Sequence, residues 1–400
     1  MESLRQHFTG IATKYLSRVD ATRNSNQHEI GSNAFVRILG DPGQISVFLR
    51  GVFLYFSDGA EEPLRATGQL TWYDSRRHQP QRASEYRLYY PDNAVTLRMT
   101  EADFCVIAVR PDNTVMIIVT PPGSTSERQL RWLFGIDHVS SDRFQTQEVQ
   151  GARQVSIVES MILEELGIAP TGGDENWLDV LLQRFGPAFP ATAVFSQFAR
   201  DTCPQNIGDL GSSDAVLMAW MEHEEMLFRT LERYLVQIQL NVGFESVDDF
   251  IRVSLSVQNR RKSRVGHALE HHLAAIFTLR EMPFGRQVQT ENRATVDFLF
   301  PSQQAYLDSE YPDERLVMLA SKSSCKDRWR QVLTEAGRIR VKHLFTLEPA
   351  ISAHQTSEMR AHNLQLVIPA SLFGSYSDVQ QQWLQSLDQY VNQTRQVVWG

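Results

Sequence analysis

The feature that most constrains this chain is a change of pattern midway along it. Residues 45 to 120 carry short runs rich in β-branched and aromatic residues: ISVFLRGVFLYF, QLTWYDS, EYRLYY, FCVIAVR and TVMIIVT. They are parted by the turn-like pieces SDGAEEP, PDN and PPGS. Strands this short and frequent predict an antiparallel barrel or sandwich. Residues 126 to 135 and 143 to 166 then read as helices ending near Gly167. Ala215 to Ile238, AVLMAWMEHEEMLFRTLERYLVQI, instead spaces apolar residues for one long helix. A chain of 400 residues holding both patterns reads as two domains.

Two breaker clusters lie between the halves. APTGGDENW carries Pro170, Gly172 and Gly173, and FGPAFP runs from Phe185 to Pro190. The expected division is a β-domain at 1–168, a linker at 169–190 and a second domain at 191–400. In the second domain SVDDFIRVSLSVQ reads as a helix capped by Ser246, and SRVGHALEHHLAAIF as another from Ser263. TVDFLFP, RLVMLASKSS, HLFTLE and LQLVIP read as strands, with the helix DRWRQVLTEAGRI among them. That order predicts a mixed central sheet flanked by helices, an α+β or α/β domain.

Composition excludes several classes. With 42% hydrophobic and 22% charged residues the chain is globular, and no apolar run is long enough to span a bilayer. The first residues, MESLRQHFTGIATKYL, lack the apolar core of a signal peptide. Cys105, Cys203 and Cys325 stand too far apart for a disulfide framework or a metal knuckle. We expect a reducing, cytoplasmic setting without membrane association. A net charge of -8 excludes a histone-like protein and leaves DNA binding to local basic patches.

Chemistry concentrates between Asp297 and Glu335. Asp297 lies in one predicted strand, Lys322 near the end of the next, and Glu335 thirteen residues later on the following helix. An acid and a lysine on neighbouring strands can converge at one sheet edge, with a glutamate from the adjacent helix. Phosphodiester hydrolysis uses this set: carboxylates for Mg²⁺, a cation that acidifies water, and a lysine that stabilises developing negative charge. Two solvated charges and a helix-face glutamate are the competing reading. Lys326, Asp327, Arg328 and Arg330 crowd the turn after Lys322. Arg can read guanine bidentately and Asp can accept from cytosine N4; a self-paired helix start is the alternative. Arg260, Arg261, Lys262 and Arg264 in NRRKSR, together with Arg330, are candidate contacts to the DNA backbone; for NRRKSR the alternative is a solvated helix start. Glu270 follows on the next helix, where a helix-face salt bridge is one reading. His271 and His272 diverge around that helix and read as structural.

VSLSVQNRRKSRVGHALEHHL, VDFLFPSQQAY and SKSSCKDRWRQVLTEAG together resemble the catalytic domain of the EcoRII-type restriction endonucleases, from about Phe244 onward. CKDRWRQ with a lysine three residues before it and a glutamate four after it carries most of that resemblance. It implies a restriction-endonuclease fold of the PD-(D/E)XK type whose second acid has moved from the lysine strand to the next helix, leaving Ala320 in its usual place. It implies Asp297 and Glu335 as metal acids, Glu270 as their support in the SRxGxxLE string, Lys322 as the catalytic lysine, and Lys326, Asp327 and Arg328 as base readers. Val296 departs from the proline usual before the aspartate. The N-terminal half, through YLSRVDATRNSNQHEIGSNAF and WYDSRRHQPQRASEYRLYY, resembles the family's B3-like β-barrel. There the candidate contacts to a second, effector DNA are His28, Arg76, Arg77 and Arg87.

The resemblance implies a type II restriction endonuclease that cuts double-stranded DNA at a short palindrome with CC and GG flanks. A palindrome is most simply read by a homodimer, and a cognate DNA methyltransferase would act on the same site. The rival classes are a non-catalytic DNA-binding regulator, a structure-specific repair nuclease and a protein-interaction scaffold.

Overall fold

The computed structural model of this protein describes residues 3–21, 28–79, 81–149, 155–170, 173–205 and 211–400, apart from the side chains of Asn292 and Asp327. The chain forms two compact units, Met1–Pro170 with Ala350–Ser352, and Thr171–Pro349 with Ala353–Gly400.

The first unit is built on eight strands: β1 (Gly10–Tyr15), β2 (Glu29–Gly31), β3 (Val47–Tyr55), β4 (Leu64–Asp74), β5 (Tyr86–Tyr89), β6 (Phe104–Val109), β7 (Val115–Thr120) and β8 (Gln145–Glu148). Their order is β2-β5-β4-β3-β7-β6-β1-β8, antiparallel except for the parallel pair β3–β7. The apolar runs FCVIAV and VMIIVT are buried along their whole length, because both faces of the sheet are covered. Phe104, Val106 and Ala108 join one core with Leu130 and Leu133 of α1 (Thr125–Phe134) and Leu163 of α2 (Ile157–Glu165). Cys105 and Ile107, one residue out of phase, join the other core with Phe35, Trp72 and Leu88.

The sheet curls into a half-barrel, in keeping with the barrel-like β-domain expected, and its end strands β2 and β8 do not pair. The turn Asn33–Phe35 packs against both β5 and β8, and Phe35 sets its ring 4.8 Å from that of Phe144. Residues 143 to 166 are not one helix. The polar stretch QTQE is edge strand β8, paired with β1, and α2 begins only at the capping box of Ser156 and Glu159.

In the second unit α3 (Leu178–Phe185) and α4 (Thr192–Thr202) pack on the helical hairpin α5 (Ser213–Val242) and α6 (Val247–Leu279). The proposed linker at 169–190 therefore contains a packed helix: Leu181 of α3 is fully buried against Phe195, Leu227 and Phe228. Helix α6 runs unbroken through NRRKSR, where the sequence suggested two helices. No proline interrupts it, and Arg and Lys are good helix formers. Then follow β9 (Gly285–Gln289), β10 (Thr295–Phe300), β11 (Val317–Lys322), α7 (Trp329–Val332), β12 (Lys342–Thr346), α8 (Ala353–Ala361), β13 (Leu364–Val367) and α9 (Leu387–Trp399). The sheet order is β13-β12-β11-β10-β9, with β9–β10–β11 antiparallel and β11–β12–β13 parallel. This is the mixed sheet expected. Strand β9 was missed, because GRQVQ is polar and opens on glycine. Phe277 of α6 packs 5.1 Å from Phe298 and Phe300 of β10, which fixes α6 against the strand that carries Asp297.

Candidate active site

Asp297 stands in β10, a strand buried from its second residue onward, and its side chain is 7% exposed. A carboxylate this deep needs hydrogen-bond partners, and β11 and β9 supply them. The Ser321 backbone N–H donates to Asp297 Oδ2 at 2.7 Å, and Lys322 Nζ donates to the same oxygen at 3.1 Å. Gln287 Nε2 donates to Asp297 Oδ1 at 3.0 Å and to Glu270 Oε2 at 3.0 Å. Glu270 reaches this edge from α6, with Arg286 at 3.6 Å. Burial raises its pKa, and the neighbouring charge of Asp297 adds to the rise.

Glu335 comes within electrostatic reach of Asp297 and Lys322. It lies just past α7 rather than on a helix, in a turn closed by its own N–H donating to Val332 O at 3.1 Å. The chain beyond is pinned. Ala336, at φ +46°, donates its N–H to Thr290 Oγ1 at 3.3 Å, and Gly337 N–H donates to Glu291 Oε2 at 3.1 Å. Lys342 Nζ, buried at the start of β12, donates to the carbonyls of Ala336 and Ile339 at 3.1 and 3.0 Å. Glu335 is 8% exposed, and its Oε2 has no hydrogen-bond partner. Burial pushes its carboxyl up to about 7; Asp297 adds to the rise, while Lys322 and Lys342 oppose it.

Among the described residues, no group of three or more His, Cys, Asp and Glu side chains is gathered to hold a metal. The donors present nevertheless fit a hard divalent cation. Mg²⁺ is held by one or two carboxylates and keeps several waters, and Glu335 presents a buried oxygen that nothing else satisfies.

The turn after Lys322 is anchored from below. Glu348, 4% exposed and two residues beyond β12, accepts the N–H of Cys325 and, at 3.4 Å, both the N–H of Lys326 and the Ser324 hydroxyl. Parallel pairing sets Lys322 beside Thr346, so Glu348 reaches under the turn that begins where the lysine strand ends. Lys326 takes φ +31° and is half-buried, Arg328 is exposed, and Trp329 is buried as a plug. The Asp327 side chain lies outside the described residues. Arg330 stacks on Trp329 at 4.5 Å and pairs with Glu358 at 3.0 Å.

Arg260, Arg261 and Arg264 of the basic run contact their own unit. Arg264 is 5% exposed, paired with Glu225 and stacked 4.0 Å over Phe228. Arg261 pairs with Glu232 at 2.7 Å, and Arg260 stacks 4.7 Å over Phe189. Lys262 is exposed. The cause is the unbroken helix, whose inner face turns three of the four cations onto α5 and the α3–α4 connection. His271 bonds Arg286 at 3.0 Å, and His272, fully buried, meets Glu224 at 2.9 Å.

In the first unit Arg76 pairs with Glu85 at 2.7 Å, and Arg87 with Glu29 and Glu85 at 2.6 and 2.9 Å. Arg77 lies 5.3 Å over Tyr73, and His28 is 3.8 Å from Asp92. These four candidates gather around β2, β4 and β5, and each already has a partner within the unit.

Sequence reasoning missed Gln287, Glu291 and Glu348. Only Glu348 leaves a signal, as a charge directly after the apolar strand HLFTL.

Residues 228–391 match the family model described as EcoRII C terminal. Over 204 residues, 51% of this chain and 50% of the relative, the chain is 41% identical to the type II restriction enzyme EcoRII of Escherichia coli. It thus spans about half the length of the curated relative it matches. Among solved structures, metal-depleted Ecl18kI in complex with uncleaved DNA is 16% identical at a TM-score of 0.45, covering 56% of this chain and 85% of that one. A restriction endonuclease PspGI–substrate DNA complex is 12% identical at 0.41, covering 59% and 95%. The residues matched to the EcoRII C-terminal family, 228–391, include Asp297, Lys322 and Glu335.

Proposed function

We propose that this chain is a type II restriction endonuclease that cuts double-stranded DNA by Mg²⁺-dependent phosphodiester hydrolysis. The observation that carries the reading is the buried, unpartnered Glu335 oxygen beside the Asp297–Lys322 pair, within the residues that match the EcoRII C-terminal family. Asp297 Oδ1 and Glu335 Oε2 would hold the cation, which when bound acidifies water and neutralises charge on the phosphate. The Ser321 N–H fixes the Asp297 carboxylate. Asp297 in turn holds Lys322 Nζ in place, where it stabilises negative charge developing on the attacked phosphate. Burial and the nearby charge of Asp297 both favour the protonated form of Glu270. The test is to digest phage DNA of known sequence with Mg²⁺ and map the ends. Discrete bands at a CC/GG palindrome support the reading. A smear points to a structure-specific nuclease, and binding without cutting points to a regulator.

Base reading belongs to the turn Lys326–Arg328. Arg328→Ala is expected to lose about 1–3 kcal/mol of specific affinity for each bidentate guanine contact removed. Glu348→Ala, which frees the same turn, should lower discrimination in the same sense. Binding titrations against matched and mismatched duplexes check both, and an equal loss on random DNA would reduce Arg328 to a phosphate contact.

Each chain has one acid–lysine–acid set, so a double-strand cut calls for a second copy. The tip of the α5–α6 hairpin exposes Leu240, Val242, Val247, Phe250, Ile251 and Leu255, apolar side chains close together in sequence on both sides of the helix turn. We assign it to the homodimer. Phe250→Asp should shift sedimentation from dimer to monomer and turn double-strand cutting into nicking; an unchanged dimer would reassign the face. The first unit, with Arg76, Arg77, Arg87 and His28, is proposed to bind a second DNA site and regulate cleavage. A cytoplasmic setting and a methyltransferase of the same specificity accompany this reading. No helix among the described residues is long and apolar enough to cross a membrane.

A further inference from the structure

Gln287 is the residue that the reading above leaves unused. It stands in β9, directly beside β10, with φ at +51°, a left-handed conformation that a residue with a Cβ rarely adopts and that strains a strand. From there its Nε2 lies 3.0 Å from Glu270 Oε2 and 3.0 Å from Asp297 Oδ1. One amide nitrogen thus bridges two carboxylates from different elements. The two oxygens of Asp297 are used differently: Oδ2 takes the Ser321 N–H and Lys322, whereas Oδ1 takes Gln287. The oxygen still open to a cation is therefore the one that the glutamine occupies. Gln287 is itself exposed, so its amide can swing into water when displaced.

We infer that Gln287 is a built-in competitor for the divalent cation: its amide N–H occupies Asp297 Oδ1 and bridges to Glu270 until a cation takes that oxygen. The physical logic is charge. Two carboxylates at one edge repel each other, and a neutral donor shared between them is a weaker partner than a divalent ion but a better one than nothing. The strained backbone presents this donor without fixing it. A cation therefore displaces a held partner rather than entering bare space, and its apparent affinity is lower by the strength of those two hydrogen bonds. This rests on the metal reading of Asp297 given above.

The experiment measures Mn²⁺ binding to the full chain without DNA, following free Mn²⁺ by electron paramagnetic resonance. Gln287→Ala removes the donor; Gln287→Met removes it while keeping the length of the side chain. Both are expected to bind Mn²⁺ about tenfold more tightly than the wild type, a change of ~1.4 kcal/mol. Unchanged or weaker binding in both overturns the inference. Tightening in the alanine variant alone also overturns it, because opened space rather than the lost donor would then be responsible. Asp297→Asn separates this outcome from failure of the metal reading. If that variant weakens Mn²⁺ binding while the Gln287 variants leave it unchanged, only the competitor falls. If Asp297→Asn has no effect, or no form of the chain binds Mn²⁺, the metal reading falls and the competitor with it.

Discussion

Lys322→Ala is expected to lower the rate of DNA cleavage by about two to three orders of magnitude, the effect of removing one preorganised charge-stabilising donor, and to leave binding of the same DNA nearly unchanged. The geometry gives the reason. Lys322 is held by Asp297 at 3.1 Å and its side chain is 18% exposed, so its ammonium is largely desolvated and aimed before substrate arrives. A charge so placed acts on the negative charge that builds during the reaction and adds little to ground-state binding. Lys322→Arg should not rescue, because the planar guanidinium does not fit a point-charge site enclosed by Asp297 and β10. The variant should fold: Ser321 N–H and Gln287 still hold the aspartate. Single-turnover cleavage and a gel-shift on the same duplex, with Ca²⁺ in place of Mg²⁺, separate the two effects. Cleavage at the wild-type rate would remove Lys322 from the reaction.

The second large effect concerns stability. Burial holds the Glu335 carboxyl at about 7, against 4.5 for the exposed group. The folded protein therefore binds this proton more tightly than the unfolded chain does, and charging the group opposes folding. Below pH about 4.5 the group is protonated in both states and has no effect. Between 4.5 and about 7 stability falls as pH rises, and above about 7 the whole penalty is present, on the order of 3 kcal/mol. Glu335→Gln keeps the shape and removes the charge. It should stabilise the metal-free protein by up to ~3 kcal/mol at pH 8, visible as a rise of several degrees in the melting temperature, and by almost nothing at pH 4. Adding Mg²⁺ should stabilise the wild type by binding the folded state and leave the glutamine variant where it was. A variant less stable than wild type at pH 8 without metal would mean that Glu335 already has a partner in the folded protein. A group whose removal stabilises the fold and abolishes the activity is one kept for function.

Much of the architecture was legible because it is local. FCVIAV and VMIIVT cannot be exposed on either face, so a sheet covered on both sides follows from their composition. Asp297, Lys322 and Glu335 are ordinary charges by residue type and spacing alone; they could be singled out because the CKDRWRQ string and its resemblance marked their neighbourhood. The basic run NRRKSR shows where such reading stops. Its charges suggested DNA, but whether an arginine faces solvent depends on which side of α6 meets α5. That is a matter of helix phase and packing partner, and Arg264 ended in the core beside Glu225 and Phe228.

By itself the sequence determined the two kinds of unit, the mixed sheet and the three residues of the candidate centre, since strand period, helix period and side-chain chemistry are written residue by residue. Only the tertiary structure decided which groups support that centre. Gln287, Glu291 and Glu348 come from segments 10 to 46 positions away from the residues they bond, and apart from the charge that follows HLFTL nothing local distinguishes them from other polar residues. Antiparallel pairing of β9 with β10 brings Gln287 to Asp297, and parallel pairing of β11 with β12 brings Glu348 under the turn that follows Lys322. Long-range register, which a chain acquires only by closing its sheet, is what turned three ordinary side chains into parts of the site.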